Sequence, residues 1–179
     1  MTSALIIGAG LVGSSIAHQM AQAGYDVTVV DKGAAAGHGS TSASSGIVRF
    51  TYSTHDSVAL SWESKHAWEN WQSHLGAADG EALARFHKVG MLMFDVPILS
   101  LERNIELLSS VGVPFREVST ADIQDLMPGV DVGRYWPNKS IDDPDFWEPG
   151  DGEVTGIFTP DGGYIDDPAL AAQIGRAHV

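Results

Sequence analysis

The sequence has no cysteine among its 179 residues. This absence excludes disulfides, thiolate metal sites and a thiol nucleophile within the chain. Positive charge is also scarce, because 10 Lys and Arg residues stand against 23 acidic residues and give a formal net charge of −13. Such a charge repels nucleic-acid phosphates and anionic membrane surfaces, so we expect neither nucleic acid nor a membrane as a partner.

Long apolar runs are missing as well. No run reaches the roughly 18 residues of a membrane-spanning helix, and the chain starts on a predicted strand rather than on a signal peptide. We therefore expect a cytoplasmic protein. The seven histidines show no metal-ligand spacing, so we expect no metal site.

The most informative segment is residues 3–31. The apolar run Ala4–Ile7 leads into the glycine-rich turn Gly8–Gly13, and a second apolar run, Val27–Val30, ends on Asp31. This order predicts a strand, a turn, a helix and a second strand, which is the start of an α/β domain that binds a dinucleotide. Gly24 lies where a left-handed residue would end the helix.

Each glycine of the turn has a predicted role. Gly8 permits the tight turn, Gly10 lets the backbone approach the pyrophosphate, and Gly13 lets the helix lie close to the sheet. The phosphates would meet the amides of the helix N-terminus. Asp31 can accept hydrogen bonds from ribose hydroxyls and would repel a 2′-phosphate, which disfavours NADP. A merely structural glycine turn is the alternative, and it leaves the agreement of the strand, the helix and the acid as coincidence.

The segment after Asp31 departs from a nicotinamide-binding domain. Residues 33–46 are small and polar where a second helix and a third strand would normally follow. Five hydroxyl groups lie within six residues, at Ser40, Thr41, Ser42, Ser44 and Ser45. This stretch suits phosphate and ribitol oxygens and favours FAD over NAD. A flexible linker is the alternative interpretation, but the apolar segment Ile47–Phe50 that follows directly favours an ordered loop.

The rest of the chain predicts further helices and short strands. We expect helices over residues 56–75 and 98–111, and a third helix that starts at Ser119 and is stopped by Pro128. We expect strands at Val89–Phe94, Val113–Phe115 and Val154–Thr159, and a loop over 137–153. In the first of these helices we expect Asp56 as the N-cap and Leu60, Ala67, Trp68, Trp71 and Leu75 on the apolar face. A last helix is expected to start with Asp167 as its N-cap and Pro168 as its first residue.

With these elements placed, the chain resembles the N-terminal part of the FAD-dependent amine and amino-acid oxidoreductases, the group of D-amino-acid oxidase, glycine oxidase and sarcosine oxidase. The resemblance runs from residue 3 to residue 173 and is most specific at Gly8–Gly13 with Asp31, at Gly39–Tyr52 and at Thr159–Pro168. It implies an α/β fold, with a Rossmann-like FAD-binding domain and an inserted α+β substrate domain, truncated here. Residues 1–75 would be the first part of the FAD-binding domain, 81–165 a partial substrate domain, and 166–173 the start of a helix that returns to the FAD-binding domain.

The implied reaction is hydride transfer to the flavin from the carbon next to an amine nitrogen, which gives an imine that hydrolyses. The substrate would be a small amine or amino acid, while the electron acceptor and the oligomeric state stay open. The resemblance places Arg49 and Tyr52 at the substrate carboxylate and assigns no catalytic side chain. The expected cofactor-binding residues are Gly8, Gly10, Leu11, Val12, Gly13, Asp31, Lys32, Gly39, Ser40, Thr41, Ser45 and Gly46.

Two positions depart from the patterns of these relatives. Ala43 stands where dimethylglycine-dehydrogenase-like relatives have a histidine that carries the flavin covalently, so we expect non-covalent FAD. Gly46 stands where sarcosine-oxidase-like relatives have a basic residue that faces the flavin. Two alternatives stay open: an FAD-dependent dehydrogenase of a hydroxy acid or of glycerol phosphate, and an inactive, incomplete nucleotide-binding fragment.

The last six residues, Ile174–Val179, have an unusual origin in our interpretation. They are the translation of the start of a widely used short-read sequencing adapter, whose next codon in that frame is a stop. We therefore expect residues 174–179 to be adapter-derived. We also expect the chain, expressed alone, to fold poorly and to lack oxidase activity.

Overall fold

The computed structural model describes residues 2–97 and 100–174. In chain order its elements are β1 (Ser3–Ile7), α1 (Leu11–Gln22), β2 (Asp26–Val30), β3 (Ile47–Val48), α2 (His55–Glu69), α3 (Trp71–Leu75), β4 (Phe86–His87), β5 (Met91–Phe94), α4 (Leu101–Val111), β6 (Arg116–Val118), α5 (Thr120–Leu126), β7 (Gly156–Thr159), β8 (Gly163–Ile165) and α6 (Pro168–Ala171). Helices and sheets thus alternate along the chain, as the expected α/β class requires.

The chain divides into two compact units. The first unit consists of Met1–Val48, Glu63–Lys88 and Gly163–Val179, and the second of Arg49–Trp62 and Val89–Gly162. These units are defined by packing alone. The assignment of residues 1–75, 81–165 and 166–173 to flavin-binding and substrate domains therefore stays a prediction.

The first unit opens with the predicted β-α-β motif. Strands β1 and β2 pair in parallel, in a register that runs from Ser3 opposite Asp26 to Ile7 opposite Val30. Helix α1 connects them and ends at Gln22, with Ala23 as its C-cap, and the next residue, Gly24, has a φ of 86° in the left-handed region. The glycine at this position therefore acts as predicted, because it avoids the strain that a side chain would meet there.

A three-stranded antiparallel sheet completes the strands of the first unit. Strand β8 lies in its centre, with β3 on one side and β4 on the other. One face of this sheet packs into a buried cluster of Ala84, Ile165 and Ala171. Partly buried apolar side chains surround the cluster: Leu11, Val48, Trp68, Trp71, Phe86 and Leu170. The sheet and helices α1, α2, α3 and α6 thus share one core.

The second unit is built on another antiparallel sheet, in which β7 lies between β5 and β6. Its core includes Phe50, Val58, Leu108, Ile123 and Ile157, each 0% exposed. Helix α5 begins with a capping box, because the Ser119 hydroxyl accepts from the Asp122 N–H while the Asp122 carboxylate accepts from the Ser119 N–H. This start agrees with the predicted helix.

The predicted single helix over 56–75 is wrong. The structure divides it into α2 and α3 at Asn70, whose φ of −123° and ψ of 36° are not helical. The Asn70 side chain donates to the His66 carbonyl at 2.9 Å and so competes with the backbone for that acceptor. Thr54 rather than Asp56 caps α2, because its hydroxyl accepts from the Ser57 N–H at 3.3 Å. Leu60, predicted on the apolar face, is 67% exposed.

The strand predicted at Val113–Phe115 is also wrong, since the strand lies at β6. Pro114 has no N–H to donate to a sheet ladder, which favours pairing only after it. Strands β5 and β7 both begin two residues later than predicted. Residues 137–153 form a loop as predicted, in which Gly150 makes an isolated bridge to Arg134.

The last helix, α6, starts as predicted. Asp167 accepts from the Leu170 N–H at 2.8 Å, and Pro168 is the first helical residue. Ile98 and Leu99, the first residues of the helix predicted over 98–111, lie outside the described residues, and the helix seen there starts at Leu101. Residues 175–179 also lie outside the described part, so the expected origin of 174–179 stays a prediction.

Candidate functional site

The glycine turn between β1 and α1 has a backbone that side chains would disturb. Gly8 has a φ of +109°, and its N–H donates to the Val30 carbonyl at 2.7 Å, which ties the turn to the end of β2. A Cβ at Gly13 would lie 1.9 Å from the Gly8 carbonyl oxygen. Helix α1 therefore lies so close to the turn that position 13 has no room for a side chain. These are the structural features predicted for Gly8 and Gly13, and their part in cofactor binding stays a prediction.

Thr41 lies at the N-terminus of α1. The Leu11 N–H donates to Thr41 Oγ1 at 3.1 Å, and a Cβ at Gly10 would lie 3.0 Å from the same oxygen. Because the hydroxyl accepts from this amide, its own hydrogen can be donated to a ligand. The first turn of α1 itself contains no acidic residue.

Asp31 binds the same turn through one carboxylate oxygen and its own following loop through the other. Oδ2 accepts from the Ala9 N–H and Oδ1 from the Gly33 N–H, each at 2.6 Å. These backbone donors, Ala9 first and then Gly33, hold the pKa of the Asp31 carboxyl below its ordinary value. Each oxygen keeps a second lone pair and can still accept from a hydroxyl. The sequence did not predict these two bonds, because they depend on the conformation of the turn.

The hydroxyl-rich loop over 33–46 is attached at both ends. Near its start, the Gly37 N–H donates to the Ala9 carbonyl at 2.8 Å. At its end, the Ile165 N–H donates to the Gly46 carbonyl at 2.8 Å, and a Cβ at Gly46 would lie 2.5 Å from the Ile165 oxygen. These bonds join the loop to the glycine turn and to β8, so it is an ordered part of the first unit rather than a free linker.

The structure thus brings together some of the residues expected at the cofactor. Thr41 and Asp31 both bond to the turn that holds Gly8, Gly10 and Gly13. The remaining expected residues follow in the same unit: Val12, Lys32, Gly39, Ser40 and Ser45 are exposed, while Leu11 and Gly46 are half-buried. Around the glycine turn, the first unit therefore presents hydrogen-bond donors, a carboxylate acceptor and backbone that a ligand can approach closely.

The two residues expected at the substrate belong to the second unit. The Arg49 guanidinium lies over the Tyr52 ring, 4.9 Å from its centroid. Arg49 is exposed and Tyr52 is half-buried, while Phe50 between them is fully buried and contacts Trp62 edge to face. The buried Phe50 fixes the chain from which Arg49 extends.

The residues of the glycine turn fit the adenosine diphosphate part of FAD. A pyrophosphate needs backbone N–H donors, which the start of α1 supplies. It must also come close to the backbone, which Gly10 allows because it has no side chain. A ribose needs a hydroxyl acceptor, which Asp31 supplies. Within residues 2–97 and 100–174 there is no group of three side chains that could hold a metal ion. No helix in these ranges is long and apolar enough to cross a membrane.

Comparison with solved structures shows the same fold in several enzymes. L-proline dehydrogenase from P. horikoshii is 24% identical, with a TM-score of 0.72 over 97% of this chain and 40% of that one. Glycine oxidase from Geobacillus kaustophilus is 18% identical, with a TM-score of 0.70 over 97% and 43%. Iminodiacetate oxidase from Chelativorans sp. BNC1 is 21% identical, with a TM-score of 0.64 over 97% and 43%. This chain therefore spans less than half the length of these structures.

Comparison with protein families gives the assignment. No curated protein matches the sequence. The family model described as "DAO: FAD dependent oxidoreductase" matches residues 3–178. Because this match includes residues 174–178, it does not separate the expected tail from the rest of the chain. It covers nearly the whole sequence, and the chain belongs to the DAO family of FAD-dependent oxidoreductases.

Proposed function

We propose that the protein uses non-covalent FAD to oxidise the C–N bond of a small amine or amino acid. The observation that carries this proposal is the assembly of Thr41 and Asp31 on the glycine turn at the start of α1. Three structural relatives support the substrate class, because proline, glycine and iminodiacetate each carry an amine and a carboxylate. The complete protein would carry out the reaction.

The described residues have separate roles in holding FAD. The amides at the start of α1 and the Thr41 hydroxyl would donate to the pyrophosphate, and Gly10 leaves room for it. Asp31 would accept from the ribose hydroxyls with the lone pairs that Ala9 and Gly33 leave available. When bound, the flavin supplies the hydride acceptor, and the protein supplies binding and orientation. Ala43 offers no nucleophile for a covalent link.

Arg49 would bind the substrate carboxylate. A guanidinium donates two parallel hydrogen bonds to a carboxylate, which a lysine ammonium cannot reproduce. The Tyr52 ring contacts the guanidinium at 4.9 Å from its centroid and attracts the cation through its π face. This contact leaves the N–H groups in the guanidinium plane available to a carboxylate.

The first experiment is purification of the complete protein and analysis of its flavin. We expect stoichiometric FAD that acid precipitation releases into the supernatant. A colourless protein that binds no added FAD would support the inactive-fragment alternative. Reduction of the flavin by a hydroxy acid or by glycerol phosphate, but by no amine, would support the other alternative.

The second experiment tests Arg49. We expect Arg49→Lys to raise KM for a carboxylated amine far more than for an amine that lacks the carboxylate. Arg116 is a matched control in the same unit, because its guanidinium lies over the Phe158 ring at 5.4 Å. Arg116→Lys should leave both KM values unchanged. An equal rise for both amines in Arg49→Lys would remove the proposed role.

A further inference from the structure

Gly37 joins three parts of the first unit. Its N–H donates to the Ala9 carbonyl in the glycine turn at 2.8 Å, and its carbonyl accepts from the Ser42 N–H at 2.9 Å. Ser42 directly follows Thr41, whose hydroxyl accepts from the start of α1. Gly37 is buried and lies against α6. The hydroxyl-rich loop is therefore attached to the glycine turn through Gly37 as well as through Thr41.

Position 37 has no room for a side chain. Gly37 has a φ of +79°, in the left-handed region, where a side chain is strained. A Cβ there would lie 2.7 Å from the Ala169 carbonyl oxygen and 3.0 Å from the Ala172 Cβ. The nearer atom belongs to the backbone of α6, which cannot turn aside as a flexible side chain can. A larger residue would therefore push this part of the loop away from α6 and disturb the bond from its N–H to Ala9.

The bond to Ala9 orients a donor on the other side of the same peptide. The Ala9 carbonyl and the Gly10 N–H belong to one planar trans peptide, so they point in opposite directions. The carbonyl is held by the Gly37 N–H and also accepts from the Ser14 hydroxyl at 3.4 Å. The Gly10 N–H therefore points away from both groups. Within residues 2–97 and 100–174, no group accepts a hydrogen bond from it.

This donor lies where the proposed function needs one. Gly10 is the N-cap residue of α1. An unpaired backbone N–H at the start of a helix favours an anion, because its hydrogen and the helix dipole both attract negative charge. Whether the N–H can donate to a phosphate depends on the direction of its peptide. That direction is fixed by the loop and not by the helix itself.

We propose that Gly37 is a positioning residue of the FAD site, which orients the Gly10 N–H toward the pyrophosphate. This inference rests on the proposed function and goes one step further into its cofactor site. Gly37 does not itself contact FAD in this proposal, because it acts through the peptide between Ala9 and Gly10. Helix α6 supports Gly37 from behind, so the cofactor site depends on a helix that follows it by more than 120 residues in the sequence.

The first test measures ligand affinity in the complete protein. The apoprotein is titrated with FAD, and ADP and adenosine are titrated as competitors of FAD. The wild type should bind ADP more tightly than adenosine, because the phosphates accept charge-assisted hydrogen bonds. Gly37→Ala should lower FAD affinity roughly 10- to 100-fold. It should also lower the ratio of ADP affinity to adenosine affinity roughly tenfold, because adenosine has no phosphate to lose a donor.

Gly80→Ala is the matched control for backbone strain. Gly80 belongs to the same unit and has a φ of +89°, but a Cβ there would meet nothing within 4 Å. The control therefore carries similar strain without the contact to α6. We expect it to lower the unfolding midpoint at most, and to leave FAD affinity and the ratio of ADP affinity to adenosine affinity at their wild-type values.

The second test needs no substitution and holds even if Gly37→Ala does not fold. Hydrogen exchange is followed by NMR in the wild-type apoprotein with isotope-labelled glycine. The Gly37 amide should exchange slowly, because it is bonded to the Ala9 carbonyl. The Gly10 amide should exchange fast without ligand. ADP should slow its exchange, and adenosine should not.

The outcomes separate this inference from the proposed function. If the wild type binds no FAD, the proposed function fails. If it binds FAD but Gly37→Ala keeps the wild-type ratio of ADP affinity to adenosine affinity, only the role of Gly37 is overturned. A lower unfolding midpoint with that ratio unchanged would make Gly37 a structural residue alone. Fast exchange of the Gly10 amide in the presence of saturating ADP would also overturn the inference.

Discussion

Replacing Gly13 by alanine should disrupt the cofactor site through one steric contact. The new Cβ would lie 1.9 Å from the Gly8 carbonyl oxygen, whereas an ordinary contact starts at 3.4 Å. The turn cannot simply move away, because the Gly8 N–H is bonded to the Val30 carbonyl at 2.7 Å. Overpacking costs about 1–3 kcal/mol, and a clash with backbone belongs at the upper end of that range. Where the turn relaxes in the apoprotein and the clash arises only in the FAD-binding conformation, about 3 kcal/mol corresponds to a roughly 100-fold loss of FAD affinity.

The assay is titration of the apoprotein of the complete chain with FAD, together with urea unfolding. Gly150→Ala is the control, because a Cβ there would lie 3.4 Å from the Arg134 carbonyl oxygen, an ordinary contact. The control should change the free energy of unfolding by less than about 0.5 kcal/mol. Wild-type FAD affinity and stability in Gly13→Ala would refute the steric argument.

Three further predictions concern single side chains. Thr41→Val removes the acceptor of the Leu11 N–H and should lower the free energy of unfolding in urea by about 1 kcal/mol, whereas Thr41→Ser keeps the hydroxyl and should keep most of that stability. Equal losses in the two variants would contradict the hydrogen bond. The pKa of Asp31 is lowered from 3.8, so its contribution to stability is complete above that value and is lost as the pH falls through the lowered pKa. The difference in unfolding midpoint between the wild type and Asp31→Asn should therefore be constant at neutral pH and shrink only in acid, and a difference that shrinks above pH 5 would contradict this assignment. Ser119→Ala removes the capping box of α5 and should cost about 1 kcal/mol of stability without changing FAD affinity, so a change in affinity would show that the two sites are coupled.

Local patterns made the first part of the fold predictable. The glycine spacing and the two apolar runs of residues 3–31 predict the β-α-β motif without any long-range information. The same holds for the starts of α5 and α6, where Ser119 and Asp167 cap the helices through residues three positions away. Each of these features depends on neighbours in sequence, which is why the sequence was sufficient.

Features that depend on distant pairing were not predictable. Strands β3, β4 and β8 have two or three residues each, too few to show an alternating pattern, and they exist because separate parts of the chain pair. His87 and Asp166 are 79 residues apart and meet only through this sheet. The bond of Asp31 to the Ala9 N–H joins residues 22 positions apart and follows from the folded turn. Sequence therefore identified Asp31 but not the groups that orient it.

The most direct test of the central claim is the visible absorbance of the flavin in the complete protein when an amine is added without oxygen. The account predicts that a small amino acid bleaches the flavin band, and that flavin released from the protein by acid is FAD. A protein that retains stoichiometric FAD but is bleached only by a hydroxy acid or by glycerol phosphate would contradict the proposed C–N oxidation.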